Sequence, residues 1–220
     1  MIPDYIIIDF DSTFIAVESL DELATYKFSN DINGKNLIRE IQLLTNAGMD
    51  GDITFKESLD KRMKLLDVDR NDILVLIEKL ADCITPSFQK NKLFFKENYQ
   101  RILILSGGFK EFIVPIVDKF GINESQVFAN QFIYNSSGDI IGIDKKNVMS
   151  SNKGKVKQAK SLKLNGEIHV IGDGYTDYEI KSEGVATHFF AFTENIKRKN
   201  VCELSDQVLS KFDDYLLFIN

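Results

Sequence analysis

Four aspartates stand at the ends of short apolar runs. Asp9 and Asp11 flank Phe10 in DFDST, and Asp173 and Asp177 bracket the loop GDGYTD. Carboxylates can attack an electrophile, carry a proton or hold a hard cation through oxygen. Brought together they repel one another, so a shared site needs a cation, a proton or hydrogen-bond donors to compensate. Mg²⁺ suits such a set, because it takes oxygen ligands and works beside phosphate without histidine or cysteine. A further segment, Ser106-Gly107-Gly108, ends another apolar run and offers a hydroxyl and open backbone to an anion. Each piece alone is an ordinary strand end or tight turn. Their common position after apolar runs makes them a candidate site.

The elements that must position these groups read as α/β. YIIIDF (5–10), RILILSGG (101–108) and EIHVIGDG (167–174) are nearly continuous apolar runs, the pattern of strands covered on both faces, and each ends in a polar or glycine-rich loop. Helical intervals at 109–120 and 154–164 lie between them, as parallel crossovers require, with Pro115 a kink or a new turn in the first. HFFAF (188–192) is a further core strand, and VFANQFIYNSSGDIIGIDK reads as a short strand followed by a hairpin around Ser136 to Asp139. In such a sheet the crevice beyond the strand carboxyl ends collects the loops. Between the first and second runs the pattern is helical only, at 19–28, 34–46, 54–65 and 70–80. This predicts a Rossmann-like, mostly parallel-sheet core, residues 1–13 and 87–220, with a small helical cap inserted at 14–86.

Composition narrows the partners. The 220 residues are 44% hydrophobic, enough for a core, and 27 basic against 33 acidic side chains give a net charge of −6. No global field draws such a chain to nucleic acid or to an anionic membrane. No apolar stretch reaches spanning length and the N-terminus has no secretory pattern, so a cytoplasmic location is expected. Cys83 and Cys202 form neither a metal cluster nor a disulfide framework. KSLK and KRKN are read as solvent-facing charge on helices. His169 and His188 are read as packing in or beside strands, with no ligand partner at convincing spacing.

The order of these segments resembles the haloacid dehalogenase superfamily, specifically its phosphoserine phosphatase branch, over most of the chain. DFDST matches the first motif, SGGF the second, Lys153 in NKGK the lysine motif and GDGYTD the last; ESLDELA and GMDGDITFKESLDKRMKLL look like cap segments. The resemblance implies Mg²⁺-dependent hydrolysis of a phosphomonoester through an aspartyl phosphate. Asp9 would be the nucleophile and Asp11 the acid and then the base. Mg²⁺ would be held by Asp9, the Asp11 carbonyl and Asp173, with Asp177 behind them. Ser106, Gly107 and Lys153 would bind phosphate, Lys155 being the alternative to Lys153 if the loop is placed differently.

The same resemblance assigns substrate choice to the cap. Glu18 would read an amino group and Arg62 a carboxylate, with Met49 and Phe55 enclosing the carbon skeleton and Gly108 and Thr176 beside them. The implied partner is a small phosphorylated amino acid, O-phospho-L-serine foremost, in serine biosynthesis; no oligomeric state is implied. Tyr175 and Thr176 depart from the Ala and Asn of many relatives. The alternatives are another small phosphorylated amine or amino acid, and a non-catalytic ligand-binding protein.

Overall fold

A computed structural model describes residues 1–220. The strands are β1 (Tyr5–Ile8), β2 (Ile102–Phe109), β3 (Val127–Asn130), β4 (Phe132–Tyr134), β5 (Ile140–Ile143), β6 (Ile168–Gly172), β7 (His188–Phe192) and β8 (Gln207–Leu209). The helices are α1 (Ser19–Phe28), α2 (Gly34–Asp50), α3 (Phe55–Leu66), α4 (Arg70–Ala81), α5 (Pro86–Lys90), α6 (Lys92–Asn98), α7 (Lys110–Val117), α8 (Gly154–Ser161), α9 (Tyr175–Ser182), α10 (Lys199–Leu204) and α11 (Phe212–Ile219). Six strands form one parallel sheet in the order β3-β2-β1-β6-β7-β8, and β4 and β5 form a separate antiparallel hairpin. The α/β core predicted from the apolar runs is therefore present. Pro115 lies inside α7 without ending it.

The central strands are apolar on both sides because both faces are covered. Ile6 and Ile8 of β1 enter one hydrophobic cluster, whereas Ile7 enters the other with Leu103, Leu105, Val170 and Phe189. β1 sits between β2 and β6, with Ile8 opposite Ile104 and Ile171, so the three loops that follow these strands emerge side by side. Below them is a phenylalanine layer in a chain with no tryptophan. Phe14 contacts Phe88, Phe95 and Phe120 at centroid separations of 5.2, 5.7 and 4.9 Å, within the favourable range for aromatic pairs.

Helices α1 to α4 all lie between β1 and the return of the chain at Thr85. Local sequence sets their starts: the Thr54 hydroxyl accepts from the Glu57 amide at α3, and Asp69 and Asp72 form a reciprocal capping box at α4. Two chain segments cross side by side beneath these helices. Ala16 donates to the Cys83 carbonyl at 2.7 Å, Thr85 to the Phe14 carbonyl at 3.0 Å, and the Thr85 hydroxyl to the Thr13 carbonyl at 2.6 Å. Asn195 Nδ2 donates to the Ser12 carbonyl at 3.0 Å and to Thr85 Oγ1 at 2.8 Å, tying both segments to the core.

Candidate active site

Asp9 follows β1 directly, its amide bonded to the Ile171 carbonyl at 3.0 Å, and Asp173 follows β6. Gly172 lets the turn close: a Cβ there would lie 2.3 Å from Asp177 Cγ. Asp9, Asp173 and Asp177 are all buried, and one oxygen from each falls within 4.8 Å of the others. Asp173 accepts from Thr13 Oγ1 at 3.3 Å and Arg198 Nε at 3.1 Å; Asp177 accepts from Lys155 Nζ at 2.7 Å and the Gly174 amide at 3.2 Å. Asp9 Oδ2 has no partner, and Oδ1 meets only Lys155 Nζ, 2.7 Å away. A buried carboxylate with an unfilled oxygen, clustered with two others, is the donor set a divalent cation fits, and the site has the capacity to hold one.

Asp11 faces differently. The turn Phe10–Phe14, with Ser12 in the left-handed region at φ 53°, carries its side chain toward α1, where Oδ1 accepts from the Ser19 amide at 2.8 Å. Burial, reinforced by the negative charge of Asp9, pushes Asp11 up to about 7, against the pull of Ser19 and Arg62. It is thereby poised to hold a proton near neutrality. Burial and Asp11 likewise push Glu18 up to about 8, opposed by the Ser12 hydroxyl, which donates to Glu18 Oε1 at 2.7 Å.

The two lysines of NKGK part ways. Lys153 precedes α8 in the left-handed region at φ 56° and turns outward to pair with Glu183, its side chain 53% exposed. Lys155, in the first turn of α8, is 6% exposed and meets both Asp9 and Asp177. Gly154 sets this orientation, since a Cβ there would come within 2.8 Å of the Met149 and Val148 carbonyls. Burial works against the Lys155 charge, but Asp177 and Asp9 outweigh it and raise its pKa. One ammonium shared by two carboxylates does not neutralise both. Burial and Asp9 therefore still hold Asp177 up at about 8.

Of the other expected groups, Ser106 is fully buried and its Oγ accepts from the Gly108 amide at 2.9 Å, while Asn130 Nδ2 holds the Gly107 carbonyl at 2.8 Å. Met49 of α2 and Phe55 of α3 reach the same place. A Cβ on Gly107 would lie 2.5 Å from Phe55 Cε2, and one on Gly174 would lie 3.1 Å from Met49 Sδ. Tyr175 packs against the left-handed Gly51 that ends α2, and Thr176 lines a cleft of about 490 Å³ with Gly48, Thr54, Phe55, Lys153 and Glu179. Behind it a smaller cavity reaches Gly107 and Lys155.

Arg62 is buried on α3. Its Nη1 donates to Thr45 Oγ1 at 3.2 Å, Thr45 donates to Asp21 Oδ1 at 2.7 Å, and Nε has no partner. Arg198 was not expected here: it belongs to the KRKN run, yet it is buried, joins Asp173 and reaches Asn46 and Asp50 of α2 through Nη1 at 3.3 and 3.4 Å. It links Asp173 of the aspartate cluster to α2. Its neighbours Lys197, Lys199 and Asn200 are exposed, so only spacing within a charged run distinguishes it in the sequence.

Four buried or partly buried carboxylates, Asp11, Glu18, Asp173 and Asp177, stand at about 7 to 8 when folded. For Asp173 the causes are burial, then Glu18 and Asp9, opposed by Arg198. Each group binds its proton more tightly folded than unfolded, so its contribution to stability is complete below the unfolded pKa and is lost as pH rises through the folded value. Without metal the protein should lose stability as pH is raised from about 5 to about 9, about 3 kcal/mol for any one of these groups taken alone, and its melting temperature should fall with it. Added Mg²⁺ should restore more at the upper end. Calorimetry with and without chelator checks this, and a melting temperature that rises with pH in chelator would contradict it.

No protein-family model matches the chain. It is similar to a crystal structure of a phosphoserine phosphohydrolase-like protein from Francisella tularensis, with 33% identity, a TM-score of 0.88 and coverage of 99% of this chain and 100% of the other. Among curated proteins it is 28% identical over 216 residues to the phosphoserine phosphatase of Homo sapiens, covering 97% of this chain and 92% of that one. It is 26% identical over 211 residues to the chloroplastic phosphoserine phosphatase of Arabidopsis thaliana, covering 94% and 69%. With this similarity along the whole chain and the aspartates gathered beyond the parallel strands, the protein belongs to the haloacid dehalogenase superfamily, in its phosphoserine-phosphatase-like branch.

Proposed function

We propose that the protein hydrolyses O-phospho-L-serine to L-serine and phosphate, with Mg²⁺, through an aspartyl phosphate at Asp9, and that residues 14–86 act as the cap over a core formed by 1–13 and 87–220. In the first step an Asp9 oxygen bonds to phosphorus, the bond from phosphorus to the serine oxygen breaks, and Asp11 gives its proton to that oxygen. In the second, Asp11 takes a proton from water as the water oxygen bonds to phosphorus and the bond to Asp9 breaks. Asp9, the Asp11 carbonyl and Asp173 would hold Mg²⁺, with Asp177 supporting. When bound, the ion supplies positive charge that offsets repulsion between Asp9 and the phosphate. Lys155, Ser106 and the Gly107 amide would bind phosphate oxygens.

The observation that carries the substrate reading is Arg62: a buried guanidinium with an unpartnered Nε, set among Glu18, Asp21 and Asp11 but with no carboxylate within salt-bridge distance. Burial lowers its pKa, while Glu18, Asp21 and Asp11 raise it. An amino acid supplies what these side chains lack, a carboxylate for Arg62 and an ammonium for Glu18. Phosphate release from O-phospho-L-serine, O-phosphothreonine, phosphoethanolamine and a sugar phosphate tests the reading. Phosphoserine should be turned over selectively; similar rates across the panel would reject amino-acid specificity. Arg62→Ala should lower kcat/KM for phosphoserine by about 10²-fold, as loss of a buried charge-assisted contact implies, and affect phosphoethanolamine much less. Equal losses would reject its role in reading the carboxylate.

A further inference from the structure

The chain has two histidines, and the fold brings them together at the end of the sheet away from the aspartates. His169 and His188 are far apart in sequence, but the parallel pairing of β6 with β7 sets them directly opposite one another. Their rings therefore leave the same face, with centroids 5.0 Å apart. Glu167, two residues before His169, lies on that face as well, and its Oε1 is 3.0 Å from His169 Nε2. One ligand-type atom from each of the three residues falls within 4.8 Å of the others.

We infer that Glu167, His169 and His188 form a binding site for one borderline divalent cation, Zn²⁺ in the first instance, separate from the aspartate cluster. Two imidazoles and a carboxylate are a ligand set that Zn²⁺ accepts and Mg²⁺ does not favour. With metal–ligand distances of about 2.0–2.1 Å, the edge of a tetrahedral site is about 3.3 Å, so the Glu167–His169 pair is already near it. Tyr215 Oη lies 2.9 Å from His169 Nδ1; a proton on Nδ1 donated to that oxygen fixes the ring and leaves Nε2 to ligate. His188 Nδ1 lies 3.2 Å from Thr187 Oγ1, which leaves its Nε2 without a protein partner. The Glu167 side chain is 42% exposed and His188 is half-buried, so an ion can enter from solvent and water can fill the fourth position. Without an ion, Tyr215, His169 and Glu167 would be only a hydrogen-bonded staple between α11 and β6, a staple that makes no use of His188. An extended chain of four residues separates His169 from Asp173 by about 13 Å, so the two sites do not share ligands.

The test uses the full chain saturated with Mg²⁺, to which Zn²⁺ is added. Because there are only two histidines, their ring signals in NMR report the site directly. One equivalent of Zn²⁺ should bind and shift both rings, with His169 keeping its proton on Nδ1. His188→Ala and Glu167→Gln should each weaken Zn²⁺ binding at least about tenfold. Both should retain the parent's thermal melt and its Mg²⁺-dependent phosphate release in the presence of a Zn²⁺ chelator. Absence of stoichiometric binding, unchanged affinity in His188→Ala, or loss of Zn²⁺ uptake in Asp9→Asn would overturn the proposal, the last by placing the ion at the aspartates. None of these readouts depends on which phosphate ester the protein hydrolyses.

Discussion

Asp9→Asn should abolish phosphate release, with kcat lowered at least ~10⁴-fold, while the fold is kept. The amide has the shape of the carboxylate but is not a nucleophile. Its backbone tie to the Ile171 carbonyl is unaffected by the change. The substitution also removes the buried charge that pushes up Asp11, Asp173 and Asp177, so the metal-free variant should melt no lower than the parent at neutral pH. Steady-state release and a thermal scan check both parts. Substantial retained turnover would reject Asp9 as the nucleophile, and a large drop in melting temperature would show that its role had been structural.

The second large effect separates two lysines that are neighbours in sequence. Lys155→Met should lower kcat/KM by roughly 10²–10³-fold, the scale for removing a charged group that stabilises the transferring phosphoryl. Lys153→Ala should leave it within about twofold, because an exposed ion pair such as Lys153–Glu183 carries little energy. Lys155→Met also strands Asp9 and Asp177 without their cation, so it should destabilise the metal-free protein by about 3–5 kcal/mol. Assays at saturating Mg²⁺ on protein shown to be folded separate the loss of chemistry from the loss of stability. If Lys153→Ala proved the damaging change, the placement of the phosphate-binding lysine would be wrong.

How far the sequence carries is visible in these residues. DFDST and GDGYTD announce themselves because both-face burial writes continuous apolar runs, and the polar groups that end them are conspicuous. The helices between β1 and Thr85 are legible for a related reason, since amphipathic spacing with Asp69 and Thr54 at starts is local information. Lys155 is harder. Which of two lysines turns inward depends on where α8 begins, and that is decided by Gly154 packing under the Met149 and Val148 carbonyls, contacts that no spacing rule encodes. Arg198 hides in a charged run because its burial is set by Asp173 and by α2, which are remote in sequence. The histidine pair needs strand register, which two isolated apolar runs do not supply. The edge strand β8, three residues with two exposed, carries too little pattern to stand out.

The measurement closest to the central claim is a rapid acid quench of the protein with ³²P-labelled O-phospho-L-serine and Mg²⁺ during the first turnover. Label should appear on the protein as an acyl phosphate, released by hydroxylamine and mapped to the peptide carrying Asp9, and it should be absent from Asp9→Asn. Phosphate released throughout the first turnover with no hydroxylamine-labile label on that peptide, or label undiminished in Asp9→Asn, would contradict a covalent intermediate at Asp9.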